Sequence, residues 1–193
     1  MPPKTKITKE DILAAAVQIT REEGADALSA RALANRLSCS TQPIFWNYPN
    51  MDALRRAVLD EAYALYVKRT FDAMDSGRYV PYKASGMAYI EFAVEEPQLF
   101  KLLYMRDRRG EERIDDTAES EQIVGVIMQN TGLNSKYAHL LHTELWAVVH
   151  GLAVMCATGF GEYDEKRVGD TLTDIYLGVL SRFQEIQRSE TND

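Results

Sequence analysis

The residues best suited to chemistry in this chain are Ser40-Thr41-Gln42-Pro43-Ile44-Phe45-Trp46-Asn47-Tyr48. Short hydroxyl and amide side chains at the start of a helix let its backbone approach the edges of base pairs. Gln42 and Asn47 carry the amide that bonds adenine bidentately, and the Thr41 methyl or Pro43 can meet a thymine methyl. Ser40 and Trp46 lie forward with them, while Ile44, Phe45 and Tyr48 anchor the helix from behind, with the Tyr48 hydroxyl also in reach of a phosphate. Ser29, Arg31, Lys6 and Lys9 suit phosphates, which fix position without reading sequence. Double-stranded DNA is the partner these residue types fit.

Other chemistries lack their residues. There is no glycine-rich phosphate loop, no HExxH and no nucleophile elbow, so no enzyme is expected. Two cysteines, Cys39 and Cys156, rule out a disulfide framework and a cysteine-rich metal site. His139 and His142 lack a matching cysteine or carboxylate, so neither a metal nor a cofactor is expected. The chain has 193 residues, of which 46% are hydrophobic and 26% charged, which suits a soluble globular protein rather than a disordered one. Its apolar run Leu145 to Ala157 is broken by His150 and falls short of the roughly 20 residues of a membrane helix. With no secretory signal, a cytoplasmic protein without membrane contact is expected.

Charge is distributed unevenly. The net charge is −7, yet residues 1–70 hold ten Lys/Arg against eight Asp/Glu, and the remaining 123 hold twelve against twenty-one. A mildly basic head on an acidic body places the polyanion partner at one end.

The elements that must position these residues are all helices. Thr8 with Asp11 forms a near capping box for a first helix that Gly24 closes. Ser29 caps a short second helix from Ala30 to Leu37, Ser38-Cys39-Ser40 makes the turn, and Ser40 caps a third near Thr41–Tyr48. Pro43 falls in its first turn and Pro49 ends it. Asn50 caps a long fourth helix running towards Met74, and Ser76 and Gly77 mark a turn. A fifth helix covers about Tyr82–Glu96, and Pro97 restarts the chain through Leu103. A charged loop over 105–119 precedes helices near 118–130, 135–157 and 164–187. The expected fold is all-α, about nine helices. A helix-turn-helix domain over 1–52 is followed by a larger effector-binding and dimerisation domain over 53–193.

The segment SARALANRLSCSTQPIFWNYPNMDAL, Ser29 to Leu54, resembles the head of the tetracycline-repressor (TetR) family. That family's reading helix typically ends in Leu-Tyr-x-His-Phe, and here Ile44, Phe45, Asn47 and Tyr48 occupy those places. Met51 stands where the family usually carries a lysine that supports the phosphate backbone. The segment Leu145 to Ala153 (LWAVVHGLA), with Tyr89 to Leu103 (YIEFAVEEPQLFKLL), resembles the Trp-x-x-x-His-Gly regulatory body of one branch of the family. Such a body implies a largely apolar small-molecule effector site. Its candidate lining here is Met87, Phe92, Phe100, Leu103, Tyr104, Trp146, His150 and Met155.

The last two helices expose more apolar surface than a small body can hide. Val168, Leu172, Ile175, Tyr176, Val179, Phe183 and Ile186 form one stripe, and Leu140 to Met155 is apolar around most of its circumference. Pairing both helices with those of a second copy hides this surface, so a homodimer is expected. The resulting expectation is a regulator, most simply a repressor released from a near-palindromic operator by a small effector. The alternatives are an activator of the same fold, and a helical ligand-binding protein with no DNA-reading role.

Overall fold

The structure, a computed structural model, describes residues 7–107, 109 and 117–192. Every regular element among them is helical: α1 (Lys9–Glu23), α2 (Ala30–Arg36), α3 (Gln42–Asn47), α4 (Met51–Asp75), α5 (Pro81–Glu95), α6 (Pro97–Tyr104), α7 (Thr117–Thr131), α8 (Ser135–Ala157) and α9 (Glu165–Asn192), with a 3-10 turn at Ala25–Ala27. The fold is all-α, as the sequence predicts. Contacts divide it into two compact units. One gathers the residues up to Leu65 with Glu96–Arg106, and the other holds Tyr66–Glu95 with the residues from Asp107 onward.

In the first unit, α1 starts on a complete capping box in which the Thr8 hydroxyl accepts from the Asp11 amide at 3.1 Å and the Asp11 carboxylate accepts from the Thr8 amide at 2.9 Å. Ser29 caps α2 by accepting from the Ala32 amide at 3.2 Å. The turn after α2 closes as a Schellman motif, in which Cys39 N–H donates to the Ala34 carbonyl at 2.9 Å and Ser38 N–H to that of Asn35 at 3.2 Å. That motif puts Ser38 at φ 50°, in the left-handed region where glycine is the usual occupant. Asn50 caps α4 through the Ala53 amide at 2.8 Å. The unit's core unites Ile12, Ala16 and Ile19 of α1 with Leu33, Ile44, Tyr48, Leu54 and Val58. α6 packs on α1, and Arg21 Nε meets the buried Glu96 carboxylate at 2.7 Å.

In the second unit, α8 packs against α5, α7 and α9, and its core includes Met74, Ile123, Ile127, Tyr137, Leu141, Leu145 and Phe183. At 23 residues α8 is, among the described residues, the one helix long and apolar enough by length and composition to cross a membrane. The helix extends well upstream of the apolar run that begins at Leu145, which is why it reaches that length.

Four further details differ from the sequence reading. α3 begins at Gln42, and its cap is Thr41, which holds helical dihedrals and makes no side-chain cap bond, so Ser40 is not the cap. Phe45, expected as an anchor, is 44% exposed, whereas Ile44 is fully buried. α9 continues past 187 to Asn192. Of the loop expected over 105–119, residues 108 and 110–116 lie outside the described residues, and α7 already begins at Thr117.

Candidate nucleic-acid interface and ligand cavity

α3 is only six residues long, too short to be stable alone, so its position is set by what it packs on. Ile44 (0% exposed) and Tyr48 (4%) hold it in the core of the first unit. The opposite side is open: Ser40, Thr41 and Gln42 are exposed, Pro43 is half-buried, and Trp46 is 75% exposed. Gln42, Pro43 and Trp46 fall on one side of α3, and the exposed Ser40 and Thr41 lead into it, so the helix start is open as a base reader requires.

The remaining candidates are placed less uniformly. Asn47 is half-buried, and its amide N–H donates to the Pro43 carbonyl at 2.8 Å, so one of its hydrogen-bonding groups is already engaged within α3. Tyr48 lies in the core, with Lys9 Nζ 5.2 Å from its ring centroid and its hydroxyl pushed above the ordinary tyrosine range by burial. Lys9, Ser29 and Arg31 are exposed, while Lys6 lies outside the described residues. Met51 is half-buried against the same core.

The second unit holds a partly open cavity of about 410 Å³, within the usual range for small-molecule sites. Five helices contribute to its wall. α4 supplies Tyr66, α5 supplies Tyr82, Lys83, Ser85, Gly86 and Tyr89, and α7 supplies Ile123, Val126, Ile127 and Asn130. α8 supplies His142, Leu145, Trp146 and Val149, and α9 supplies Leu172, Thr173, Tyr176 and Leu177. Gly86 is what lets α5 come close, since a Cβ there would meet Leu172 Cδ1 and Val149 Cγ2 at 3.4 Å each.

Of the eight residues proposed from sequence, one lines this cavity, Trp146. His150 stacks on it with ring centroids 4.9 Å apart at 11°, and its Nδ1 lies 2.9 Å from the Tyr89 hydroxyl, so the pair backs the wall. Met87 and Phe92 are buried in α5, with the Phe92 ring 5.7 Å from that of Tyr66. Met155 is exposed further along α8. Phe100 and Leu103, fully buried, and Tyr104, 5.2 Å from the Phe100 ring, belong to α6 in the first unit. The lining that sequence reading missed had one visible signal. Tyr82, Gly86 and Tyr89 fall at i, i+4 and i+7, a stripe of polar-tipped aromatics around a glycine on one helical face.

Polar groups in the wall are few. The Tyr66 hydroxyl donates to Glu119 Oε1 at 2.7 Å, Lys83 Nζ donates to Thr173 Oγ1 at 2.9 Å, and the Tyr82 hydroxyl lies 3.4 Å from His142 Nδ1. Burial, and then the charge of His139, lowers the His142 pKa; burial alone lowers that of His150. Both rings are therefore neutral near pH 7. An unfolded histidine titrates near pH 6.5, above the folded values of these two, so on acidification the unfolded chain takes up protons that the folded chain refuses.

Stability is thus expected to fall as pH drops from about 7.5 to 5.5. Each unmatched proton contributes a slope of at most about 1.4 kcal/mol per pH unit. The exposed His139, whose pKa is raised by Glu121, acts in the opposite sense. His142→Gln should flatten the decline in thermal midpoint; an unchanged slope removes His142 as its source.

Comparison with known proteins agrees with this architecture. Residues 82–180, just over half of the chain, match the family described as "Tetracyclin repressor-like, C-terminal domain", and residues 12–58 match "Bacterial regulatory proteins, tetR family". An uncharacterized HTH-type transcriptional regulator, YobS of Bacillus subtilis (strain 168), is 26% identical over 176 residues, covering 86% of this chain and 87% of the relative. The class G tetracycline repressor protein of Vibrio anguillarum is 35% identical over 63 residues, 31% of this chain and 30% of the relative. The crystal structure of a TetR-like transcriptional regulator from Rhodococcus sp. RHA1 superposes with a TM-score of 0.70 at 17% identity, covering 92% of this chain and 98% of that one. With its helix-turn-helix head and its C-terminal domain both matched, the chain belongs to the TetR family of DNA-binding transcriptional regulators.

Proposed function

We propose that the protein is a homodimeric repressor that holds a near-palindromic operator through two copies of α3 and releases it when a small molecule enters the α4–α9 cavity. The observation that carries the reading is the division of α3, with Ile44 and Tyr48 buried while Thr41, Gln42 and Trp46 face outward. Two such helices about 34–36 Å apart read successive major-groove faces, which one copy cannot do. Release requires the effector to favour a state that binds DNA less well, since equal affinity for both states shifts nothing. α4 is the natural carrier of that preference. It supplies Tyr66 to the cavity wall and Leu54 and Val58 to the core of the DNA-reading unit.

Protection mapping on the DNA upstream of the chain's own coding sequence, followed by a gel-shift salt series, tests the reading. Affinity should fall steeply with salt while preference for the protected site persists. Gln42→Ala should relax base preference at one position per half-site and cost about 1–3 kcal/mol, whereas Lys9→Ala should weaken all sequences alike. Uniform weakening by Gln42→Ala assigns Gln42 to phosphate, and weak binding blind to sequence overturns the repressor reading.

A further inference from the structure

Resting on the reading of the cavity as the effector site, we propose that it takes a monoanionic amphiphile, an apolar body with one carboxylate-like head seated at Lys83. The wall is aliphatic and aromatic over most of its extent, so the body of the ligand is apolar. Among the lining residues there is no Asp or Glu, and Lys83 is the one cation. A cationic guest would leave water for a wall that offers it no counter-charge and one like charge, which low-dielectric surroundings make costly.

The Lys83 end is built to present an ammonium. α9 makes room for it at Gly169, where a Cβ would meet Nζ at 3.4 Å. Thr173 Oγ1 donates its proton to the Gly169 carbonyl at 2.8 Å and so accepts from Lys83 Nζ at 2.9 Å, while Nζ also sits 5.2 Å from the Tyr79 ring centroid. An ammonium has three donors, and a carboxylate can take a further one in a charge-assisted bond. The carboxylates at the outer side of Lys83 are engaged with other cations: Asp170 with Lys166 at 2.6 Å, and Glu165 with Arg78 at 2.6 Å. Asp170 also feels the charge of Lys83 from that side, while in the cavity wall itself Lys83 is the one lysine or arginine.

The chain's two tryptophans make the test direct, because Trp146 lines the cavity and Trp46 lies on α3. In a Trp46→Phe background, Trp146 emission is titrated with decanoate, decanol and decyltrimethylammonium, each below its micelle concentration. Decanoate is expected to bind at least about 10-fold tighter than decanol, with decyltrimethylammonium weakest. Lys83→Met should cost decanoate about 10-fold and leave decanol within about 2-fold, and Lys83→Arg should keep the wild-type order. Tightest binding by the cation, equal losses for all three probes in Lys83→Met, or binding by none of them overturns the proposal.

Operator affinity of the unaltered chain separates this inference from the one beneath it. If decanoate binds in the expected order yet leaves operator affinity unchanged, the ligand class stands and the effector reading fails. Release by decyltrimethylammonium and not by decanoate keeps the effector reading and overturns the ligand class.

Discussion

A Gly151→Arg, Gly178→Arg double variant is expected to fold, to run as a monomer, and to lose about 100-fold or more in affinity for a full operator. Both glycines are exposed and helical, and a Cβ at either position meets nothing within 4 Å in the single chain. Arginine exceeds glycine in helix propensity by roughly 0.8–1 kcal/mol, so the isolated subunit should gain stability. The substitutions are harmful only if a second copy covers this face.

The surface itself argues for such a cover. Leu140 (41% exposed), Trp146 (43%) and Met155 (39%) of α8, with Leu177 (56%) of α9, leave large apolar side chains in water. Gly151 shares a helical face with Glu144, and Gly178 with Arg182, and those two charged residues join α8 to α9 at 3.5 Å. In the proposed dimer, small residues at 151 and 178 would let two helix pairs approach closely and bury the surrounding apolar side chains. Two linked reading heads gain about 10²–10⁴ in avidity over one, and that gain is what the variant forfeits. Sedimentation and gel-shift titrations on full and half operators provide the measurement. A variant that still sediments as a dimer, or a monomer with undiminished operator affinity, refutes the proposed interface.

Ile44→Ala should destabilise the DNA-reading unit by about 2–5 kcal/mol and reduce operator binding at least about 100-fold. The side chain is fully buried in a helix of only six residues, which has little other means of staying in place. Truncation leaves a void beneath α3 and frees the rod that presents Gln42 and Trp46. Phe45→Ala, one residue away but 44% exposed, is expected to cost under about 1 kcal/mol of stability. Urea unfolding followed by Trp46 emission in a Trp146→Phe background and by far-UV circular dichroism distinguishes the two. Equal stability costs at 44 and 45 defeat the assignment of Ile44 as the anchor.

The head was legible because several local signals agree there. Thr8 with Asp11, Ser29 and Asn50 are caps whose bonds are made within three residues, so sequence spacing alone locates them. Adjacent residues on so short a helix are harder. Ile44 and Phe45 are both large and apolar, and six residues hold too few turns for periodicity to say which one faces inward. The Asn47 amide turned back on Pro43 is likewise invisible to composition.

The cavity was less legible for a different reason. Periodicity marks the buried face of a helix but does not name the neighbour that buries it. Phe100 and Leu103 are as buried as expected, yet their helix packs on α1, in the unit where Arg21 meets Glu96 across 75 residues of sequence. Trp146 and His150 do form the expected pair on α8, but the space lies on the Trp146 side. There the tyrosines of α4, α5 and α9 converge, and no single stretch of sequence contains them.

Gly86 also bears on how this regulator could change its proposed effector over time. A methyl group added there points at Leu172 and Val149, both in the cavity wall and far in sequence from the proposed DNA-reading residues of α3. One base change in the codon would thus trim the room for a guest while leaving operator choice untouched. Spectrum and address can drift separately, and descendants of this chain could answer shorter or longer molecules at the same promoter.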